Sequence, residues 1–342
     1  MPEQPGLRRW LVQRWYGGTP PLALQPLAAL YGLITWIRRT AYAHGWCRSR
    51  HPGVPVIVVG NLTVGGTGKT PLVLWLVAAV RNAGQRPGVV LRGYGGSARD
   101  ARLVSASDTA EQVGDEAALI CQRAQVPVAV GADRAAATEL LARADCTVII
   151  SDDGLQHLAL RRDLAIVVVD GERGFGNGAL LPAGPLREPA ARLDSVDLVV
   201  VNGEDQQRVA LRHDPLSLGL VPASLRNLRS GAEEPVDALR GTTVHAVAGI
   251  GHPQRFFTLL RRLGAHPIEH AFGDHHPFVP GDLAFDGGQR IVMTEKDAVR
   301  CRAFATELMW CLPVSAELPA GDATRLLNAV LAKIPAGGSA SA

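Results

Sequence analysis

The sequence predicts an α/β protein in which a mostly parallel sheet is covered by helices and a second, smaller α/β domain follows it. Three observations carry that expectation. Apolar runs of strand length alternate with helical stretches from Val54 to Asn202, and alternation in that order implies parallel strands with crossovers on both faces. A glycine-rich turn, Gly60-Asn-Leu-Thr-Val-Gly-Gly-Thr-Gly-Lys-Thr-Pro71, joins the first of those runs to a helix. A further strand, turn and helix begin at Thr243, after a change of composition between Glu204 and Glu234. The bulk numbers agree: 342 residues suit about two domains. An apolar share of 47% with 20% charge describes a globular chain, not a disordered one. A net charge of +3 is too small to argue for nucleic acid. The five cysteines form no C-x-x-C pair, which fits reduced thiols in the cytoplasm.

Residues 1–50 stand apart as an N-terminal helical segment. They hold seven arginines against the single acid Glu3, and four of the six tryptophans: Trp10, Trp15, Trp36 and Trp46. The apolar run Leu22 to Ile37 is interrupted by Gln25 and Pro26 and falls short of the roughly 20 residues of a spanning helix. No cleavage site of small residues marks a secretory signal. Tryptophan at headgroup depth and arginine against anionic lipid are the chemistry of an interfacial helix, so peripheral or monotopic membrane contact is expected. A helix pair packed on the domain is the alternative.

Residues 51–204 read as the nucleotide-binding domain. Val54 to Val59 is a strand and Leu72 to Arg81 a helix, and a glycine-rich turn between them is the architecture of a phosphate cradle. In Thr63, Val64, Gly65, Gly66, Thr67, Gly68, Lys69 and Thr70, backbone N–H groups converge on phosphate oxygens and the helix N-terminus adds its dipole. Lys69 reaches the β/γ-phosphates and the Thr70 hydroxyl ligates Mg²⁺. This makes the fold P-loop NTPase-type, although Thr63 occupies the place of the motif's first glycine. Pro87 to Leu91 is the next strand, leading to Arg92-Gly-Tyr-Gly-Gly96; strand C-terminal ends gather ligands, so Arg92 is either an anion contact or a solvated loop residue. The helix from Gln112 carries Asp115 and Glu116 in its first turn, where acids also simply suit the dipole. Strand Val126 to Val130 leads to Gly131-Ala-Asp133-Arg134 and a helix. The strand Thr147 to Ser151 ends in Asp152-Asp153-Gly154, as a P-loop enzyme requires to hold its Mg²⁺. Gln156 and His157 continue along the same edge. Two loops rich in turn formers, Gly171 to Gly178 and Leu181 to Glu188, lie between strands Leu164 to Val169 and Val196 to Val201, and loops of that length are usually functional.

Residues 205–334 read as the smaller C-terminal α/β domain. Strand Thr243 to Ala248, turn Gly249-Ile-Gly251 and helix Pro253 to Leu263 open it; Asp274-His275-His276, strand Arg290 to Met293, Thr294-Glu-Lys-Asp297 and a last helix from Ala323 to Ile334 follow. Residues 335–342 are expected to be a disordered tail. Adjacent histidines cannot easily share one metal and no third ligand is spaced for it, so a carboxylate orienting a histidine, or the reverse, is the expected use. Thr294-Glu-Lys-Asp297 places its lysine one residue too late for the guanine-selecting [NT]-K-x-D, which speaks against a switch GTPase. A kinase, with a second site for its acceptor and cations around the phosphoryl group, and an assembly ATPase that phosphorylates nothing both remain open.

The motifs taken together are more specific. The glycine-rich turn, Arg92-Gly-Tyr-Gly-Gly96, Gly114-Asp-Glu116, Asp152-Asp-Gly-Leu-Gln-His157, Leu181-Pro-Ala-Gly-Pro-Leu-Arg-Glu188, Gly249-Ile-Gly251, Asp274-His-His276 and Thr294-Glu-Lys-Asp297 resemble, in order, the tetraacyldisaccharide 4'-kinase family. The resemblance implies Mg²⁺- and ATP-dependent phosphorylation of the 4'-hydroxyl of a tetraacylated disaccharide 1-phosphate, the lipid A disaccharide precursor, to form lipid IV-A. It places the reaction at the cytoplasmic face of the inner membrane. Neither nucleic acid nor an obligatory protein partner is expected. Carried across by position, Lys69 and Thr70 hold the phosphates, and Thr70, Glu116, Asp152 and Asp153 form the metal region. Asp115 takes the acceptor proton, assisted by His275 or His276 from across the cleft; Arg92, Gln156, His157 and Arg187 contact the substrate. The chain departs from the family at Leu91, His252 and Gly273, each beside a motif, where serine, asparagine and proline are usual.

Overall fold

Strands apolar on both sides persist only between two covering layers, and the computed structural model, which describes residues 6–206 and 214–335, is built that way. Helices α1 (Gly6–Gly17) and α2 (Gln25–Ala43) open the chain. The first α/β run follows as β1 (Val56–Gly60), α3 (Lys69–Asn82), β2 (Pro87–Leu91), β3 (Arg102–Leu103), α4 (Ala110–Val113), α5 (Asp115–Ala124) and β4 (Val128–Val130). It continues through α6 (Arg134–Arg143), β5 (Val148–Asp152), β6 (Leu164–Asp170), β7 (Leu198–Asn202) and β8 (Leu216–Pro222). The second run is β9 (Leu225–Asn227), β10 (Glu233–Glu234), β11 (Thr243–Ala248), α7 (Pro253–Arg262), β12 (His266–Ala271), β13 (Ile291–Thr294), α8 (Glu295–Cys301) and β14 (Met309–Leu312). Last come β15 (Val314–Glu317) and α9 (Ala320–Leu331).

Among the described residues the larger sheet runs β15-β8-β7-β6-β1-β5-β2-β4-β3 and the smaller β10-β9-β14-β13-β11-β12. In the larger, only the edge pairs β3–β4 and β8–β15 are antiparallel. Strand β1 lies between β5 and β6, parallel to both, in a register that sets Val59 beside Asp152 and Gly60 beside Val167. The glycine-rich turn and the paired aspartates therefore leave adjacent strand ends, on the side of the sheet where open α/β folds bind ligands.

The domain boundary differs from the sequence expectation. Residues 205–334 do not form one C-terminal unit: β8 continues the larger sheet beside β7, and β15 pairs with β8 after the chain has built the smaller sheet. Helix α9 buries Leu326 and Val330 in the same core as Leu72, Leu76 and Val80 of α3. An amphipathic stripe states that a helix needs an apolar face but not which one; proximity in sequence to the second unit was a poor guide. Most of the expected tail, 336–342, lies outside the described residues.

The two sides of α2 differ. Its inward side is tied to the larger lobe: the Tyr31 hydroxyl donates to Arg187 O at 3.1 Å, and Gly32 lets Leu180 approach so closely that a Cβ there would sit 2.8 Å from Leu180 Cδ1. Helix α1 joins in, Trp15 Nε1 donating to Pro182 O at 3.0 Å. On the other side Leu27, Leu30, Leu33, Ile34, Trp36 and Ile37 are each at least half exposed. No single described helix is long and apolar enough to cross a membrane; Trp10–Gly17 and Leu22–Ala43 pass that test only as a pair bent by 100°.

Because Leu326 is fully buried in the core of the larger lobe, Leu326→Ala is expected to lower stability by about 2–5 kcal/mol. Urea unfolding followed by circular dichroism would measure it; a loss confined to the smaller lobe, with ATP binding by the larger one unaltered, would contradict the placement of α9.

Candidate active site

The phosphate loop is shaped by glycine where nothing else fits. Gly68 precedes α3 with φ +94°, and a Cβ on it would lie 2.5 Å from Asn202 Nδ2, the amide that donates to Thr67 O at 3.0 Å. Thr63, off pattern in the sequence, sits in an antiparallel bridge with Leu186, and Val64 N–H donates to Pro185 O at 2.9 Å. Extended, paired backbone needs no glycine, so the departure reflects a loop braced by the 181–188 segment. The Lys69 ammonium lies 3.2 Å from Asn61 Oδ1 and 3.6 Å from Asp153 Oδ1. In the first turn of α3, the Thr70 hydroxyl donates to Asp152 Oδ2 at 3.2 Å.

The two aspartates ending β5 sit in different electrostatic surroundings. Burial first, and the Glu116 charge next, push Asp152 up to about 7 against the pull of Lys69. Its Oδ1 is buried with no hydrogen-bond partner among the described residues, and an orphaned hard oxygen beside a threonine hydroxyl fits a Mg²⁺ site. Asp153 adopts φ +51° and accepts from Arg187 at 3.0 and 2.9 Å on its two oxygens. Burial pushes its carboxyl up, but Lys69 and Arg187 outweigh that and hold it well below the usual carboxylate range. Gln156 Nε2 donates to Asn61 O at 3.1 Å and to Glu188 Oε1 at 3.0 Å, stitching the Asp152–His157 segment to the cradle and to the 181–188 loop. His157 is lowered to about 4, by burial and then by Arg134, so its ring is neutral at physiological pH.

On the facing wall, Gly114 turns the chain into α5 with φ +88°, and a Cβ there would stand 2.6 Å from Tyr94 O. That close turn sets Asp115, only 4% exposed, at the seam with the smaller sheet. His275 Nδ1 is 3.1 Å from Asp115 Oδ2, and Arg300 donates to the same oxygen. Lys296 Nζ donates to Glu116 Oε1 at 3.0 Å and lies 3.5 Å from His275 Nε2. With the ammonium at Nε2, the neutral tautomer carrying its proton on Nδ1 satisfies both ring nitrogens. Burial pushes the Asp115 carboxyl up, but the His275 hydrogen bond and the Lys296 and Arg300 charges prevail and keep it far below its ordinary range.

The two histidines are thereby told apart. His276 points away: its Nε2 is 2.9 Å from Asp282 Oδ2 and its ring lies 4.9 Å from those of Phe272 and Phe278. Consecutive residues in a tight turn, His275 having φ +60°, send their side chains in different directions. A cleft of about 1500 Å³ joins these parts. Of the residues expected from the sequence, all line it except Thr63 and Asp115, buried behind its wall, and His276. The smaller lobe reaches the cradle at Gly251, where a side chain would stand 3.6 Å from Gly65 Cα. His252 beside it, one of the departures, is half-buried and lowered to about 4 by desolvation and then by Arg173 and Arg255.

Sequence reasoning missed Arg134, Lys296 and Arg300. Arg134 is 4% exposed, lines the cleft, and donates to Ser151 Oγ at 3.3 Å. An arginine opening a helix after a sheet strand was the available signal for it; Lys296 lay inside a recognised motif, whereas nothing distinguished Arg300. Among the described residues no group of three or more His, Cys, Asp or Glu has metal-binding geometry.

Comparison with known proteins matches this geometry to one family. The family model for Tetraacyldisaccharide-1-P 4'-kinase matches residues 21–334. The chain is 51% identical over 313 residues to a tetraacyldisaccharide 4'-kinase of Alkalilimnicola ehrlichii, covering 91% of this chain and 93% of that one. It is 46% identical over 328 residues to one of Methylobacillus flagellatus, covering 93% and 95%. Among solved structures it resembles LpxK from Aquifex aeolicus in complex with ATP, with a TM-score of 0.76, 29% identity, and coverage of 92% of this chain and 99% of that one. With cradle, paired aspartates and cross-lobe histidine all in place over a match of this extent, the chain belongs to the tetraacyldisaccharide-1-P 4'-kinase family.

Proposed function

We propose that this protein transfers the γ-phosphoryl group of ATP to the 4'-hydroxyl of tetraacyldisaccharide 1-phosphate, with Mg²⁺, at the cytoplasmic face of the inner membrane. The observation that carries the reading is one cleft that holds both the phosphate cradle and His275 of the smaller lobe, with the Asp115 carboxylate of the larger lobe against that histidine just behind the cleft wall. Full-length similarity to tetraacyldisaccharide 4'-kinases supplies the acceptor. It favours phosphoryl transfer over the assembly ATPase, for which no separate observation speaks.

In this reading the loop N–H groups and Lys69 bind the β/γ-phosphates, and the N-terminus of α3 adds its dipole. Thr70, Asp152 and Glu116 would hold Mg²⁺, which supplies neutralisation of the charge on the β- and γ-oxygens. Asp153, clasped by Lys69 and Arg187, orients those two cations around the transferring group. Asp115 accepts the hydroxyl proton: its Oδ2 is engaged by Arg300 and His275, while Oδ1, with no hydrogen bond from the described residues, is left for the sugar. His275 steadies that carboxylate, and His276 has a structural role in the Phe272–Phe278 cluster. Arg92, Gln156, His157 and Arg187 face the same space and suit the polar head of the acceptor. Catalysis then rests on positioning and preorganised charge. Membrane contact is supported by the outward apolar side of α2, whose opposite side touches the Arg187 loop.

Label from γ-labelled ATP should appear in the disaccharide lipid, and Lys69→Ala should reduce that transfer by about 10²–10³-fold; ATP consumption without labelled lipid would defeat the proposal. Asp115→Asn should lower kcat by about 10²–10⁴-fold with calorimetric ATP affinity little changed, whereas equal losses in both would make Asp115 a structural acid. Each large side chain withdrawn from the interface forfeits about 1.5–3 kcal/mol, so replacing Trp36 and Ile37 by serine should weaken sedimentation with anionic vesicles at least roughly tenfold. Unchanged sedimentation would refute the assignment of α2.

A further inference from the structure

Of the two groups on Asp115 Oδ2, only His275 lines the cleft; Arg300 lies behind it. Arg300, on α8 of the smaller lobe, sets one terminal nitrogen on Asp115 Oδ2, 3.2 Å from His275 Nδ1, and the other 3.1 Å from Asp297 Oδ1. Asp297 is fully buried and is itself fixed, its Oδ2 accepting from Gly249 N–H at 3.0 Å and from the Thr294 hydroxyl at 2.6 Å. The guanidinium is thus a planar fork spanning two carboxylates, one in each lobe, a task a point charge cannot duplicate. Its side chain is 10% exposed and does not line the cleft, so it acts on substrate only through what it holds.

A carboxylate turns easily about its terminal torsion, whose energy profile is broad. One hydrogen bond from His275, a ring 28% exposed on a tight turn, leaves that rotation weakly restrained. A second donor converging on the same oxygen removes it. We propose that Arg300 is a positioning residue for phosphoryl transfer: it locks Asp115 with Oδ1 toward the acceptor hydroxyl and takes its bearing from Asp297 beneath the Gly249–Gly251 turn. The proposal rests on Asp115 being the base, and its test separates the two.

Arg300→Met and Arg300→Lys are made alone and with Asp115→Asn in the full chain, and kcat and both KM values are measured with ATP and the disaccharide lipid. Misplacing a catalytic group by about 1 Å costs about 10²-fold, so Arg300→Met should lower kcat by that factor with both KM values little changed. Arg300→Lys, retaining the charge but not the span, should recover about tenfold of the loss. In the Asp115→Asn background Arg300→Met should cost less than about twofold more, because a residue acting through Asp115 has nothing left to position. Unchanged kcat in Arg300→Met beside a slow Asp115→Asn, an equal loss in the Asn background, or a loss expressed in KM would each overturn the proposal. Full activity of Asp115→Asn would instead remove the base reading. If Arg300→Met fails to bind ATP by calorimetry and so has not folded, Arg300→Lys decides: wild-type kcat overturns the proposal, and a lowered kcat at unchanged KM upholds it.

Discussion

A carboxylate taken out of water must be compensated by cations and hydrogen bonds or it destabilises the fold that buries it. Asp115 meets that condition with groups from outside its own sheet: His275, Lys296 and Arg300 all belong to the smaller lobe. The larger lobe supplies the acid and the smaller one its counter-charges, so neither half of this corner is electrostatically complete alone. The close Gly114 turn against Tyr94 O, the Thr294–Asp297 cap on α8 and the left-handed turn at His275 are arrangements that bring the two halves to register.

The opposite side of the cleft follows the same logic with the signs redistributed. Lys69, Arg187 and the buried Arg134 surround Asp152 and Asp153, and the two acids respond in opposite directions because only one is clasped. Asp153, between two cations, stays ionised; Asp152, buried beside Glu116 with an oxygen unpartnered, is short of positive charge. Adjacent residues of the same type thus acquire different chemistry from a single positive-φ position at the end of β5.

Much of this was legible in the sequence because local rules and motif spacing coincide there. The strand, glycine-rich turn and helix around Lys69 obey backbone sterics visible in any one chain, and Asp152-Asp153 ends a run too apolar to be anything but a buried strand. The choice between His275 and His276 was not legible: which of two neighbours faces the cleft depends on one φ angle and on Phe272 and Phe278. Arg300 was invisible for a related reason. An arginine in the last turn of a helix is ordinary, and only the meeting of two lobes gives it carboxylates to bridge. The assignment of β15 and α9 failed because edge pairing and helix stripes are satisfied by any suitable surface.

The chain leaves the larger sheet after β8 and re-enters it at β15, and the two crossings lie side by side, Ala223 N–H donating to Pro313 O at 2.9 Å. During synthesis, which proceeds from the N-terminus, the edge of the nucleotide sheet stays open until the intervening lobe has emerged. The ribosome must deliver the counter-charged lobe before the cradle's own sheet is finished, so a nascent chain cannot complete the one and lack the other.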